Sequence, residues 1–286
     1  MKRAKSIIKL LAKLAITGGA LFLVFKKIEM DSIVSVFKNM HLGFLMLAGG
    51  FFFLSKILES VRLNLFLRAE GLWVSHKQNF KLYLLGMFYN LFFPGGIGGD
   101  TYKVYWFKKR YPIKLKQLIR VFIINRASGL LALSMLIGIS AFKISYDIGP
   151  ASWLVVLIPI CYIVFYLCIK KYFFALLPAV NATHILSIGL QVLQLASAHY
   201  ILVALGVESA FYDYWFIYLV SGIAFILPIT VGGVGAREIV FLYGAQFLLI
   251  DLNTAIALSL VIYLLRTVVS LTGVYYLVLP KKLENA

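Results

Sequence analysis

The chain has 286 residues, of which 62% are hydrophobic and 14% are charged, and its formal net charge is +17. Soluble domains carry about 25% charged residues, so this composition excludes a water-soluble globule and indicates an integral membrane protein. The most polar stretch, residues 100–120, is too short to fold as a separate catalytic or nucleic-acid-binding domain. Neither a Walker-type motif nor G-x-G-x-x-G occurs, so we expect no direct use of ATP and no cofactor.

Hydropathy predicts six membrane-spanning helices, each long enough to cross a hydrocarbon core of about 30 Å. In chain order they cover residues 7–25, 42–67, 115–141, 152–170, 184–206 and 252–279. The first ends at Phe25-Lys26-Lys27 without a small-x-small cleavage site, so we interpret it as a retained helix rather than a signal peptide.

Two further apolar segments, residues 79–93 and 212–227, each run into a glycine-rich break. Glycine lets the backbone reverse direction and approach a ligand closely. Because non-helical backbone at membrane depth is tolerated only where it packs in protein or lines a wet cavity, the breaks predict a polar pocket between them. The glycines are Gly95, Gly96, Gly98 and Gly99 in the first break and Gly232, Gly233 and Gly235 in the second.

The distribution of positive charge favours a topology in which both segments are re-entrant hairpins that enter and leave on one side. If residues 79–93 crossed completely, the seven cations between residues 103 and 120 would lie outside, although such residues mark cytoplasmic loops. With hairpins, twenty of the 28 cations lie on the cytoplasmic side and four outside, so we predict a multi-pass protein of the cytoplasmic (inner) membrane with both termini in the cytoplasm. The other four lie at membrane depth: Lys56, Arg126, Arg237 and Arg266.

This topology divides a single transmembrane domain, residues 1–286, into two series of four elements that run in opposite directions. Residues 1–143 would form the first inverted repeat and residues 144–286 the second. Each glycine cluster precedes an acid and is followed by an arginine in the next helix. The predicted fold is therefore an all-α polytopic membrane protein with an inverted repeat, an arrangement typical of transporters with a site at the repeat interface.

The helix after each break would direct free N–H groups at the pocket, which suits a phosphate group. Arginine adds a bidentate fork for the same group. We therefore expect a lipid headgroup to be bound by the charged residues near the breaks together with the seven glycines. The charged candidates are Asp100, Lys103, Arg126, Arg237, Glu238 and Arg266. The four histidines show no ligand spacing, so we expect no metal site.

Structural interpretations remain open for several of these residues. The helix arginines could cap hairpin carbonyl groups or pair with the acids, and Asp100 could cap its own helix. Glu59 and Arg62, three residues apart near the cytoplasmic end of the second predicted helix, most simply form a local ion pair. Gln191 and Gln194 favour interhelical hydrogen bonds over substrate contact.

At the two breaks the chain resembles the lysylphosphatidylglycerol synthase transmembrane (flippase-like) family. The motifs are F-P-G-G-I-G-G-D-x-x-K over residues 93–103 and L-P-x-x-x-G-G-V-G-A-R-E over 227–238, with weaker matches in N-R-x-x-G at 125–129 and at Arg266. The resemblance covers essentially the whole chain. Lys103 stands where an arginine is common in the family, and Asn125 stands where an acid often precedes the helix arginine.

The resemblance implies transbilayer movement of a lipid with an anionic or modified headgroup. It does not imply lysyl transfer, because these residues hold no soluble aminoacyl-transfer domain. We predict a flippase, not an enzyme, that moves an anionic or aminoacylated phospholipid, or a polyprenyl-phosphate lipid, through a groove between the hairpins. Its partners would be that lipid and the bilayer, without nucleic acid; a homo-oligomer stays open.

Two alternatives remain. A membrane-embedded enzyme could act on a phospholipid or polyprenyl-phosphate headgroup with Asp100 or Glu238 as general base. An accessory subunit in lipid or polyprenyl-linked glycan metabolism could lack transport altogether.

Overall fold

The computed structural model describes residues 37–38, 40–93, 97–145, 157–226 and 235–284. Within these ranges the regular elements are helices and none is a strand, which confirms the predicted all-α fold. We number the helices α1 (Leu42–Ala69), α2 (His76–Phe92), α3 (Ile97–Arg110), α4 (Leu115–Ala141), α5 (Leu157–Tyr172), α6 (Leu177–Ala204), α7 (Phe211–Ile226), α8 (Ala236–Leu248), α9 (Leu252–Leu271), α10 (Val274–Val278) and α11 (Pro280–Glu284).

Four helical stretches are long and apolar enough to cross a membrane, so the chain is a multi-pass membrane protein. They are Leu42–Ala69, Leu115–Ala141, Phe174–Ala204 and Leu252–Val278, and they match four of the six predicted spans. The predicted span 7–25 lies outside the described residues. The predicted span 152–170 is described only from residue 157, where α5 has 16 residues.

Two boundaries differ from the sequence prediction. The third of these stretches begins about ten residues earlier than predicted, because a 3₁₀ turn over Phe174–Leu176 runs directly into α6. Pro178 lies in the first turn of α6, where its missing N–H has no helical partner to lose. The last span is interrupted at Gly273, where a Cβ atom would collide with the carbonyl oxygen of Leu84 on α2. The close approach of these two backbones therefore requires glycine.

Helices α2 and α3 fold back on each other across the first break. At the far end of the pair, the hydroxyl of Tyr111 donates to Gln78 Oε1 over 3.3 Å. Near the break, a Cβ atom at Gly99 would collide with the carbonyl oxygen of Gly86, and the Gly99 N–H donates to Asn90 Oδ1 over 2.6 Å. Two glycines thus allow the helix backbones to touch.

Helices α7 and α8 form a second antiparallel pair. Ile217 packs against Gly244, where a Cβ atom would lie 2.9 Å from the isoleucine side chain. Closer to the break, Arg237 Nε donates to the hydroxyl of Ser221 over 3.1 Å. Both glycine-rich breaks are therefore flanked by helices that return on themselves. Their entry into the membrane from one side, and the inverted repeat, stay predictions.

Helices α1 and α6 cross the middle of the bundle side by side. The hydroxyl of Ser197 donates to the carbonyl oxygen of Ala48 over 2.8 Å, and both residues are buried. Such small residues let membrane helices approach closely. The short α11 docks at the start of α2, where Leu283 is buried and its carbonyl oxygen accepts a 3.4 Å hydrogen bond from Gln78.

Candidate functional site

A polar cavity of about 230 Å³ lies among helices α1 to α4 and α6 to α9. Its lining includes six cationic side chains and two carboxylates, an excess of four positive charges. The cations are Lys56, Arg62, Lys103, Arg126, Arg237 and Arg266, and the carboxylates are Glu59 and Asp100.

The structure brings five of the predicted charged residues together in this cavity, although they lie on four different helices. They are Asp100, Lys103, Arg126, Arg237 and Arg266. Gly98 and Gly99 lie in the first turn of α3, and Gly235 precedes α8. The other predicted glycines, Gly95, Gly96, Gly232 and Gly233, lie outside the described residues.

Asp100 lies between two cations at the start of α3. Its carboxylate is 2.8 Å from Arg126 Nε on α4 and 3.0 Å from Lys103 Nζ one turn along α3. The same ammonium group lies over the rings of Tyr83 and Phe122, 4.9 Å and 5.4 Å from their centroids. One carboxylate therefore pairs with two cations. One structural interpretation of the sequence was that a helix arginine pairs with an acid at a break, and the Arg126–Asp100 contact is such a pair.

Arg62 reaches the cavity from α1 and is only 4% exposed. Its Nε donates to Asn125 Oδ1 and its Nη1 donates to Ser187 Oγ, both over 2.9 Å. A Cβ atom at Gly129 would lie 3.0 Å from that Nη1, so glycine leaves room for the guanidinium. The residues of the N-R-x-x-G segment thus hold an arginine from another helix.

Glu59 and Arg62 do not form the expected local salt bridge, although Glu59 is near enough to attract the guanidinium. Glu59 lies 3.1 Å from Lys56, one turn earlier on α1, while Arg62 turns to neutral oxygens. Lys56 and Arg62 therefore join the predicted site residues, and Arg62 belongs to the cavity rather than to the cytoplasmic face. Its position within the predicted span 42–67, more than one helical turn from the end, was the signal that could have identified it.

The two remaining arginines lie against aromatic rings. The guanidinium of Arg237 lies 5.1 Å from the centroid of Tyr218, and that of Arg266 lies 3.7 Å from the centroid of Phe225. Ring faces are negative and attract cations, but they neutralise no charge. Among the described residues neither guanidinium forms a salt bridge, so both can pair with an anionic ligand.

Glu238 does not line the cavity. It is 3% exposed, its Oε2 accepts from the Gly235 N–H over 2.7 Å, and its Oε1 accepts from the Ser259 hydroxyl over 3.0 Å. Gly235 has a φ of 89°, a conformation that favours glycine. Glu238 therefore caps α8 and ties it to α9, and its predicted contact with a headgroup stays a prediction.

Gln191 and Gln194 on α6 also line the cavity, where sequence reasoning favoured interhelical hydrogen bonds. With Asn90 and Asn125 they add neutral donors and acceptors to its wall. In the part of the chain that the structure describes, no three His, Cys, Asp or Glu side chains form a metal-binding group. The arrangement is chemically suited to hold an anion.

Comparison with known families agrees with the motifs at the two breaks. The model of the family described as the lysylphosphatidylglycerol synthase TM region matches residues 10–273, nearly the whole chain. No curated protein matches the chain.

Proposed function

Since the chain belongs to the family of the lysylphosphatidylglycerol synthase TM region, we propose that it is a translocase for a lipid with an anionic headgroup. The lipid is a phospholipid or a polyprenyl-phosphate lipid, and the membrane is the cytoplasmic membrane. The acyl or prenyl chains stay in the bilayer while the headgroup passes through the cavity. No hydrolysis of ATP is part of the proposal.

The observation that carries this proposal is the excess of four positive charges in the cavity. A single arginine at the centre of a membrane helix costs about 2.5–3.5 kcal/mol on insertion scales. Cations that are buried without carboxylate partners lower stability, so a cavity that contains them is explained best by a ligand that neutralises them. A phosphate group does so, and the planar guanidinium offers it two parallel N–H donors.

The position of the cavity supports passage rather than static binding. It lies between the two antiparallel helix pairs that flank the glycine-rich breaks, and side chains from both pairs line it. Sites between broken helices suit alternating access, in which one part of the bundle rocks against the other around a fixed site. Glycine-mediated contacts such as Gly86 with Gly99 keep each pair rigid during such a motion.

The alternative of a membrane-embedded enzyme has less support. Asp100 is engaged by Lys103 and Arg126, and Glu238 is engaged by Gly235 and Ser259. A general base needs a lone pair directed at the substrate proton. Neither carboxylate is placed to act as one while these contacts last.

The test is lipid translocation by purified protein in phosphatidylcholine liposomes that contain a small fraction of fluorescent phosphatidylglycerol or of a fluorescent polyprenyl phosphate. Reduction of the fluorophore from outside measures how fast the lipid changes leaflet. We expect translocation by the wild-type protein, and a rate lower by about tenfold or more for the variant Arg126→Ala plus Arg266→Ala, which is equivalent to a loss of about 1.4 kcal/mol.

The matched control is Arg68→Ala, since Arg68 also lies over an aromatic ring, 5.5 Å from Trp73, but does not line the cavity. Absence of wild-type translocation for both lipids would overturn the proposal. Equal rates for all variants would show that Arg126 and Arg266 do not contribute to translocation. Mass spectrometry of the lipids separates transport from chemistry, since translocation leaves lipid mass unchanged.

A further inference from the structure

Building on the proposed function, we infer that the headgroup carried by this protein bears two or more negative charges at one compact site, as a terminal phosphomonoester or a diphosphate does. A phosphodiester such as phosphatidylglycerol carries one. An aminoacylated phospholipid, which the family resemblance also allows, adds positive charge to its single phosphate.

The pairing of charges within the cavity leads to this inference. Among the described residues, Lys56 forms a salt bridge with Glu59, and two further cations share Asp100. The contacts of the other three cations are with neutral oxygens or ring faces. These three are Arg62, Arg237 and Arg266.

Two of these arginines are anchored so that their charge is held in place. Arg62 uses Nε for Asn125 and one terminal nitrogen for Ser187, and Arg237 uses Nε for Ser221. Neutral anchors fix the position of a guanidinium without reducing its charge, and they reduce the entropy lost when an anion binds. The wall is therefore preorganised for an anion.

The arginines also act on one another. Arg237 and Arg266 are near enough for their charges to repel, and Lys56 is near enough to Arg266 for the same effect. Glu59 attracts Lys56, Arg62 and Arg266 but offsets only one unit of this charge. A single negative charge leaves most of the excess of four positive charges uncompensated, whereas two or three negative charges neutralise half of it or more. Buried charges are stable only when they are paired, so the stabilisation gained on binding rises with the charge of the ligand.

The size of the cavity points in the same direction. Sites for drug-sized ligands occupy about 300–1,000 Å³, and this cavity has about 230 Å³. A compact anionic group such as a phosphomonoester or a diphosphate fits this volume.

The inference predicts a binding preference that calorimetry can measure in phosphatidylcholine nanodiscs, with empty nanodiscs as the blank. The probes are dihexanoyl phosphatidic acid, a phosphomonoester, and dihexanoyl phosphatidylglycerol, a phosphodiester with the same tails. We expect the phosphomonoester to bind about tenfold tighter or more. Farnesyl diphosphate should bind at least as tightly as the phosphomonoester.

The variant Arg237→Gln plus Arg266→Gln should reduce this preference to within about threefold of unity, and Arg68→Gln should leave it unchanged. The variant Arg237→Lys plus Arg266→Lys keeps both charges and should keep most of the preference. If the glutamine variant fails to fold, the ratio in the wild-type protein decides. A ratio near one in the wild type, or tighter binding of lysyl-phosphatidylglycerol, would overturn the inference.

The two proposals fail in different ways. If phosphatidylglycerol crosses the membrane but the phosphomonoester binds no more tightly than the phosphodiester, the protein is a translocase without the inferred preference for charge. If inorganic pyrophosphate binds as tightly as farnesyl diphosphate and no lipid crosses, the charge requirement stands and the lipid translocase falls.

Discussion

Replacement of Gly99 by alanine tests whether the contact of α2 with α3 holds the cavity in shape. A Cβ atom there would lie 2.9 Å from Asn90 Oδ1 and would collide with the main-chain oxygen of Gly86. Overpacking costs about 1–3 kcal/mol, and the upper end applies because a rigid helix backbone cannot move aside. Alanine recovers at most about 1 kcal/mol of helix propensity. We expect a net loss of about 2 kcal/mol.

The assay is thermal unfolding of the detergent-solubilised protein, followed by tryptophan fluorescence, since Trp106 lies buried on the same helix. For a chain of this size a loss of about 2 kcal/mol lowers the midpoint by about 4–8 °C. A separation of the helices would also displace Asp100 and Lys103, so lipid translocation should fall with stability.

Two matched glycine variants provide the scale. At Gly86 a Cβ atom would meet the flexible end of Lys103 at 3.1 Å, and at Gly50 it would meet nothing within 4 Å. The expected order of midpoints is therefore Gly99→Ala lowest, Gly86→Ala intermediate and Gly50→Ala equal to or above the wild type. If Gly99→Ala melts within about 1 °C of Gly50→Ala, the close contact does not contribute to stability and the reasoning is wrong.

Two other substitutions separate support from binding. Asn125→Leu removes the acceptor for Arg62 Nε and should destabilise the protein by about 1.5–3 kcal/mol, measured by thermal unfolding. Asn125→Asp should preserve the midpoint of thermal unfolding but weaken the binding of a diphosphate probe, measured by calorimetry. Glu238→Ala removes the cap at the Gly235 N–H and should cost about 1–3 kcal/mol in the same unfolding assay, yet leave the ratio of phosphomonoester to phosphodiester affinity unchanged; a changed ratio would place this residue in the binding site.

The sequence predicted those features that depend on local chemistry. Long apolar runs identified the four stretches that the structure confirms as candidate spans. Proline and glycine identified the two breaks, because these residues cannot continue a helix without loss. The predicted membrane depth of Arg126, Arg237 and Arg266 selected these residues, since a cation at such a depth is costly unless it has a function, and all three line the cavity.

Features that depend on distant partners escaped prediction. Arg62 was matched with its neighbour Glu59 by spacing, but its partners Asn125 and Ser187 lie on other helices, 63 and 125 residues away. Glu238 was assigned to the pocket because it follows a glycine cluster. The capping-box motif has a polar residue at the cap and an acid or amide three residues later. Here the cap position holds Gly235, so the sequence did not match the motif, although Glu238 accepts from its N–H.

The contact between Gly273 and Leu84 bears on which parts of the protein can move as one body. Gly273 follows α9, late in the chain, and Leu84 lies on α2, early in the chain. Leu283 of α11 makes a second attachment at the start of α2. A mechanical boundary drawn at residue 143 would cut through this double attachment. If the chain translocates a lipid as proposed, the C-terminal segment would move with the first helix pair, and the moving units would be interleaved along the chain rather than being its two halves. A crosslink between the end of α9 and α2 should therefore leave transport intact, whereas one between α3 and α8 should block it.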